Sequence, residues 1–268
     1  MGKRPYDTET IIPTRLRPSR SGGAMRDRSK MDHRWAPPVK STAIILFCKS
    51  LSAMAFTSIN PATGTEIEQY VAHSSDEVET RLDRAESAFE ANRQRSFKVR
   101  ARRLEAAADL LEDRADEYGA LMTREMGKPI EQAEGEAEKC AWVCRYYAEH
   151  GADFLADEAV ETEAQKSYVA HEPLGSVLAV MPWNFPFWQL FRFGAPALMA
   201  GNSILLKHAP NVQGCALAIA ELLQDAGFED HELQPLLVDE ETVGDVIADR
   251  RVRAATLTGS VGAGKAVA

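Results

Sequence analysis

The spacing of apolar residues predicts a helical region over the first half of the well-patterned chain. From Asp76 to His150, apolar side chains recur at steps of three and four residues, which is the period of one helix face. Ser74 and Ser75 form a helix start signal, and Gly127 with Pro129 forms a stop signal. The pattern predicts helices that begin at Asp76, run through Leu104, Ala108 and Leu111, and extend from about Ile130 to His150.

After Gly175 short apolar segments alternate with amphipathic ones. This alternation predicts parallel βαβ units, and hence an α/β fold with a doubly wound parallel sheet and helices on both faces. Before it, residues 158–173 favour a protruding hairpin with its turn near Gln165 and Lys166. The predicted strands are Ser176–Val180, Ser203–Leu206, Leu233–Val238 and Ala254–Leu257, and the predicted helices are Phe187–Ala200, Val212–Ala226 and Glu241–Ala248.

Residues 1–53 differ from the rest in charge and pattern. They hold 11 Lys/Arg against 4 Asp/Glu, five prolines and no sustained apolar period. Such a segment buries too little apolar surface to offset the ordering of its backbone, which predicts a basic disordered extension. Two alternatives stay open: an arm that touches nucleic acid or anionic lipid, and a chain whose translation begins at Met54. The apolar run Ala43–Cys48 is too short for a membrane span or a signal-peptide core.

Residues 54–268 are strongly acidic, with 20 Lys/Arg, of which 6 are Lys, against 36 Asp/Glu. A surface rich in carboxylates stays hydrated at high salt, which indicates a halophilic source and argues against a nucleic-acid partner. The cysteines are scattered and follow no secretory leader, so a cytoplasmic location is favoured over a disulfide framework. They are Cys48, Cys140, Cys144 and Cys215.

Three loops leave the carboxyl ends of predicted strands, where open parallel sheets bind ligands. Asn184 in the first loop offers an amide N–H donor for a developing oxyanion, although an asparagine in such a loop also makes local turn bonds. Lys207 ends a buried strand, so its ammonium should reach a ribose hydroxyl, a phosphate or solvent. His208 beside it is interpreted as a packing or capping residue. The loops are Met181–Pro186, Lys207–Asn211 and Thr258–Gly264.

The third loop places glycines between a strand and a helix, where exposed backbone N–H groups form a phosphate cradle. Gly259 to Lys265 also matches part of a nucleoside-triphosphate P-loop. The next residue is Ala266, which cannot ligate Mg²⁺ as Ser or Thr would, and the motif follows the last strand rather than the first. The P-loop interpretation is therefore rejected.

Together these loops resemble the aldehyde dehydrogenase superfamily in its cofactor-binding half. The motifs Pro-Trp-Asn-Phe-Pro, Leu-Leu-Lys and Thr-Gly-Ser-x-x-x-Gly occur here in the family's order, and the resemblance covers roughly residues 56–268. Two further motifs, Ile-Asn-Pro-Ala-Thr-Gly from Ile59 and Glu-Met-Gly-Lys-Pro from Glu125, are typical of the amino-terminal part. The resemblance implies a Rossmann-like fold, an NAD or NADP coenzyme, a small aldehyde substrate and, most similar in its motifs, a succinate-semialdehyde dehydrogenase.

The resemblance also implies a role for each matching residue. Asn184 would donate to the oxyanion, and Lys207 would bind the adenosine ribose. Gly264 would let its helix approach the sheet, and the hairpin at 158–173 would serve homo-oligomerisation. Pro182 and Trp183 would line the cofactor cleft, while Gly259 and Ser260 would hold the pyrophosphate.

Pro210 marks a departure from the family pattern. NAD-preferring relatives often carry a glutamate three residues after the lysine, where it chelates both ribose hydroxyls. Pro210 stands at this position. Because no carboxylate there repels a 2′-phosphate, the sequence predicts that NADP⁺ is tolerated.

The family's nucleophilic cysteine and general base belong to motifs beyond Ala268, the last residue. Cys140 and Cys144 lie one turn apart, on what is interpreted as a packed helix face, and no nearby histidine completes a metal site. Cys215, Glu125 and Glu221 occupy neither motif. The sequence thus leaves two alternatives: an aldehyde dehydrogenase that is incomplete in this record, or a non-catalytic remnant that keeps a nucleotide-binding or subunit-interaction surface. In both cases these 268 residues are expected to oxidise no aldehyde and to express poorly, because an apolar surface is left uncovered.

Overall fold

The structure is a computed structural model that describes residues 55–268. The prediction of disorder over residues 1–53 lies outside the described residues. The strands are β1 (Ala55–Ile59), β2 (Glu66–Val71), β3 (Glu158–Ala159), β4 (Tyr168–Val169), β5 (Ser176–Val180), β6 (Ser203–Lys207), β7 (Leu233–Pro235) and β8 (Val252–Leu257). The α-helices are α1 (Ser75–Asn92), α2 (Phe97–Asp113), α3 (Ala115–Met126), α4 (Ile130–Phe154), α5 (Trp188–Ala200), α6 (Gln213–Asp225), α7 (Glu240–Ala248) and α8 (Val261–Val267).

β1 and β2 form an antiparallel hairpin that the apolar pattern does not predict. The Asn60 N–H donates to the Thr65 carbonyl at 2.9 Å, and the Gly64 N–H donates to the Asn60 carbonyl at 2.8 Å. Gly64 has a φ of 71°, a left-handed conformation that favours glycine. Phe56 and Tyr70 are the buried aromatic residues of the two strands, while most of their neighbours stay accessible. The sequence signal is therefore too weak to mark this hairpin.

The first helices begin and end largely where the sequence places them. Ser74 caps α1 in a capping box, because its hydroxyl accepts the Glu77 N–H while the Glu77 carboxylate accepts the Ser74 N–H. Gly127 ends α3 with a φ of 77°, as the glycine stop predicts. Arg114 separates α2 from α3 without a side-chain cap, so this break has no sequence signal. None of the described helices is long and apolar enough to cross a membrane.

β5 to β8 form one parallel sheet with the strand order β7-β6-β5-β8. β5 pairs along its whole length with β6 on one side and with β8 on the other. The chain therefore moves outward from β5 to β7 and then returns to place β8 against β5. In open α/β sheets such a reversal of strand order leaves a ligand crevice at the carboxyl ends of the strands.

Successive residues of β5 and β6 face opposite sides of the sheet. Ala179, Ile204 and Leu206 belong to a core shared with α2 to α6. Leu178 and Leu205 belong to a second core, shared with α1 and α7. Helices thus cover both faces, which confirms the prediction of a doubly wound parallel sheet.

The apolar run over residues 233–238 predicts a longer strand than β7. The Leu236 N–H makes one more bond beyond β7, to the Leu206 carbonyl at 2.7 Å. Leu237 then leaves the sheet, since its N–H donates to Nδ1 of His73 at 3.2 Å and its carbonyl accepts the His73 N–H at 2.8 Å. The strand prediction was wrong over these last residues because they bind the segment that joins β2 to α1.

The hairpin predicted over residues 158–173 is present. β3 and β4 pair in antiparallel fashion, with Glu158 opposite Val169 and Ala159 opposite Tyr168. Both strands are exposed in the chain. The predicted role of this arm in oligomerisation stays a prediction.

Candidate functional site

Backbone hydrogen bonds hold the ends of three strands at one edge of the sheet. The Met181 N–H donates to the Lys207 carbonyl at 3.0 Å, which joins the end of β5 to the end of β6. The Thr258 N–H donates to the Val180 carbonyl at 3.1 Å, which joins β8 to β5. The three candidate loops therefore leave the sheet side by side, at the point where the strand order reverses.

A cavity of about 390 Å³ opens at this edge. Its walls come from the ends of β5, β6 and β8, from the first turns of α7 and from α8. Lys207 and Ser260 are both in the wall, whereas Pro182, Trp183, Asn184, Pro210, Gly259 and Gly264 are not. The lining residues are Val180, Lys207, Glu240, Val243, Gly244, Leu257, Ser260, Gly262, Ala263, Ala266 and Val267.

Lys207 contributes the only positive charge among the lining residues. Its side chain is 7% exposed, and no carboxylate of residues 55–268 lies within ion-pair distance of its ammonium. Burial lowers the pKa of Lys207, and the nearby negative charges of Glu240 and Asp239 oppose that shift. A buried ammonium without an ion-pair partner fits a ligand that brings hydroxyl or phosphate oxygens into the cavity.

Ser260 caps the last described helix beside this ammonium. Its hydroxyl oxygen accepts the Ala263 N–H at 3.1 Å, so its proton is available to a ligand. Gly259 precedes it, and a Cβ there would make ordinary contacts with Ala263 and Leu257. A Cβ at Gly264 would meet no heavy atom within 4 Å. The expectation that Gly264 brings its helix close to the sheet is thus wrong for the described residues, because that side of α8 faces open space.

The loop after β5 presents Trp183 and Asn184 to solvent, with Pro182 half-buried. Pro210, at the start of a short 3₁₀ helix, is also exposed. These residues leave the sheet at the same edge as the cavity. The side-chain amide of Asn184 makes no hydrogen bond within residues 55–268, so the local turn bonds that were the alternative interpretation are absent there.

A buried ion pair braces this loop from below, and sequence reasoning missed it. Lys128 forms an ion pair with Glu136, and both side chains are at most 6% exposed. The second carboxylate oxygen of Glu136 accepts the N–H groups of Phe187 and Trp188, each at 2.9 Å. The Lys128 ammonium also lies 3.7 Å from the centre of the Phe185 ring. The two charges thus fix the chain on the carboxyl side of Asn184.

A signal for this brace was present in the sequence. Glu136 lies on the same face of α4 as Ala133, Ala137 and Cys140, all of which are buried. A carboxylate at a position where the helical period places apolar residues needs a partner. The partner itself was not predictable, because Lys128 precedes the helix.

His208 connects the end of β6 to the same loop. Its Nδ1 accepts the Ala209 N–H at 2.9 Å, so Nε2 carries the proton and donates to the Pro186 carbonyl at 3.0 Å. The ring is completely buried, and burial lowers the pKa of His208 to about 4. This geometry agrees with the interpretation of His208 as a packing residue.

Acidification is expected to destabilise the protein through His208. Because its pKa is about 4 in the folded chain and about 6.5 as a free side chain, the unfolded chain binds more protons between these values. The stabilising contribution is complete above pH 6.5 and declines as the pH falls toward 4, by about 3 kcal/mol in total. Buried His73, whose pKa is also lowered to about 4, acts in the same direction.

Urea unfolding of wild type and His208→Gln at pH 7 and pH 4.5 measures this effect. The variant should lose less stability on acidification than wild type. The exposed His150→Gln variant is the control and should keep the wild-type pH dependence. An unchanged pH dependence in His208→Gln would contradict the assignment.

The buried cysteines and Glu125 are structural in this chain. Burial raises the thiol pKa of Cys140, Cys144 and Cys215, which disfavours the nucleophilic thiolate. Glu125 is 2% exposed and accepts hydrogen bonds from the N–H groups at the start of α6. Within residues 55–268 no cluster of His, Cys, Asp and Glu could hold a metal ion.

Comparison with known proteins places this site in a described family. Residues 47–268 match a family model described as the aldehyde dehydrogenase family. A probable succinate-semialdehyde dehydrogenase [NADP(+)] of Synechocystis sp. is 54% identical over 215 residues, covering 80% of this chain and 47% of that protein. Succinate-semialdehyde dehydrogenase [NADP(+)] 1 of Mycobacterium tuberculosis is 51% identical, with 80% and 48% covered. The chain therefore spans about half the length of the curated relatives it matches.

Solved structures agree with the observed fold. Succinic semialdehyde dehydrogenase from Streptococcus pyogenes, in complex with NADP⁺, superposes with a TM-score of 0.77 at 33% identity, covering 80% of this chain and 47% of that one. The structure of PnpE in complex with nicotinamide adenine dinucleotide gives a TM-score of 0.75 at 26% identity, with 80% and 44% covered. The sheet, the helices on both faces and the cavity edge thus belong to a known architecture.

Proposed function

The chain belongs to the aldehyde dehydrogenase family, and from this premise we propose that residues 54–268 form the coenzyme-binding part of an NADP-dependent succinate-semialdehyde dehydrogenase. The observation that carries this proposal is the cavity at the strand reversal, which combines the buried ammonium of Lys207 with the hydroxyl of Ser260. The names of relatives that are 51–54% identical support the coenzyme and the substrate class. NAD⁺ is the alternative coenzyme.

The residues of this chain would bind and orient the reactants. When bound, the coenzyme accepts a hydride and so supplies the oxidising chemistry. Lys207 would hold the adenosine ribose, and Ser260 with Gly259 would hold the pyrophosphate, since hydroxyl and backbone N–H donors suit these oxygens. Asn184 would donate its side-chain amide to the aldehyde oxygen as negative charge develops there.

The remaining residues at this edge would shape the cleft. Pro182 and Trp183 would line its nicotinamide side, where an exposed indole offers a stacking surface. Pro210 puts no carboxylate at the position that follows Lys207 by three residues, which supports acceptance of a 2′-phosphate.

The hairpin of β3 and β4 would contribute to a homo-oligomer. Its segment exposes four large apolar residues, each 46–65% accessible, and apolar side chains on a protruding arm are typical of surfaces that pair with another chain. These residues are Val160, Tyr168, Val169 and Leu174.

The proposed coenzyme site is tested by calorimetry with NADP⁺ and NAD⁺ on the 268-residue chain. We expect binding to wild type, and binding weakened about ten- to a hundredfold in Lys207→Ala, because a charge-assisted hydrogen bond contributes about 1.5–3 kcal/mol. Lys98→Ala removes the same charge from the exposed face of α2 and should bind as wild type.

Two results would contradict the proposal: no binding of either coenzyme to wild type, or equal binding to wild type and Lys207→Ala. The substrate class is tested in the polypeptide that carries the complete active site. There, succinate semialdehyde should be oxidised with a higher kcat/KM than butanal, which has the same four carbons without the carboxylate.

A further inference from the structure

The coenzyme cavity contains an acidic side chain that comes from a different element than the lysine loop. Glu240 lies in the first turn of α7 and lines the cavity together with Lys207. It is the only carboxylate among the lining residues, as Lys207 is the only cation. One ammonium and one carboxylate therefore face whatever enters this cavity.

The Glu240 carboxylate is free to meet a ligand. Its neighbour Asp239 is occupied, because one oxygen of Asp239 accepts both the N–H and the hydroxyl of Thr242 and so caps α7. Glu240 is exposed and has no ion-pair partner within residues 55–268. Its charge acts on Lys207, since it opposes the fall in the pKa of that lysine that burial causes.

NAD⁺ and NADP⁺ differ only at the 2′ position of the adenosine ribose. A carboxylate near this position accepts a hydrogen bond from a 2′-hydroxyl and repels a 2′-phosphate. Pro210 cannot perform this discrimination, and the family position that it occupies holds no acid here. Glu240 brings a carboxylate to the same cavity from α7 instead.

We propose that Glu240 is a specificity-determining residue that disfavours the 2′-phosphate and so shifts the coenzyme preference of this chain toward NAD⁺. The proposal rests on the proposed function, because it takes the cavity beside Lys207 as the adenosine site. It also gives a physical reason why this chain should bind NADP⁺ less selectively than the NADP-named relatives suggest.

Glu240→Gln tests this proposal, because it removes the charge and keeps the size of the side chain. The probes are NAD⁺ and NADP⁺, together with 5′-AMP and 2′,5′-ADP, which isolate the adenosine half. In Glu240→Gln we expect NADP⁺ and 2′,5′-ADP to bind about three- to tenfold more tightly, since a partly exposed like-charge contact is screened by solvent. NAD⁺ and 5′-AMP should bind as before or slightly more weakly.

Glu241→Gln is the matched control, because it removes the same charge from the next residue of α7, which does not line the cavity. It should leave the ratio of the two dissociation constants unchanged. Higher salt should narrow the difference between NADP⁺ and NAD⁺ in wild type more than in Glu240→Gln.

The failure of this inference is distinguishable from failure of the proposed function. If both coenzymes bind and Glu240→Gln leaves their ratio unchanged, or weakens NADP⁺, the role of Glu240 is refuted while the site stands. If neither coenzyme binds any of the variants, the proposed function is refuted and this inference with it.

Discussion

Glu136→Ala is expected to lower the free energy of unfolding by about 3–5 kcal/mol, because it leaves the buried ammonium of Lys128 without its partner. It also removes the acceptor for the N–H groups of Phe187 and Trp188, which follow the loop that carries Asn184. The loss should therefore be both global, in stability, and local, in the order of this loop.

Chemical denaturation measures the global part, and hydrogen exchange at the amides of Phe187 and Trp188 measures the local part. Glu138→Ala is the control, since Glu138 is exposed on the same helix and should change stability by less than about 0.5 kcal/mol. Glu136→Gln keeps an acceptor oxygen for the two amides but removes the charge, so it should protect them better than Glu136→Ala.

A further variant separates the ion pair from the loop contact. In Lys128→Met with Glu136→Gln, no buried charge remains, and stability should recover part of what Glu136→Ala loses. If Glu136→Ala unfolds at the wild-type denaturant concentration with unchanged exchange at both amides, the brace has no energetic role.

Glu125→Ala is expected to cost about 3 kcal/mol of stability, because three buried donors lose their acceptor. One carboxylate oxygen accepts the Ser58 hydroxyl at 2.9 Å and the Gly214 N–H at 3.0 Å. The other accepts the Cys215 N–H at 2.9 Å. The side chain thus satisfies the free N–H groups at the start of α6 and ties that helix to β1 and α3.

Glu125→Gln should have an intermediate effect in the same denaturation experiment. Glutamine offers one oxygen in place of two, so one of the donors would face an amide NH₂ instead of an acceptor. Glu117→Ala, on the exposed face of the same helix, is the control and should remain near wild type. Equal stabilities of the Glu125→Ala and Glu117→Ala variants would refute the role assigned to Glu125.

Much of the fold was predictable because its signals are local. Alternation of apolar and helical segments after Gly175 gave the four strands and three helices of the sheet, with bounds close to those observed. Ser74 and Gly127 marked a helix start and a helix end, because capping depends on residues within one turn. The loops at the carboxyl ends of the strands followed from the same pattern.

Other features depended on partners that lie far apart along the chain. The hairpin of β1 and β2 has few buried residues, and the end of the run at 233–238 leaves the sheet to bind His73. Lys207 and Ser260 could be singled out by residue type and position. That Glu240 lines their cavity could not, because nothing in a local pattern places the first turn of α7 beside the end of β6.

The sequence by itself determined which elements form and which of their faces are buried, since helical and strand periods record burial one residue at a time. Only the tertiary structure decided which buried groups meet. It placed β8 against β5, Lys128 against Glu136, and Glu125 at the start of α6. The physical reason is that a buried charge or an open N–H group requires a partner, but any part of the chain that folding brings near can provide it.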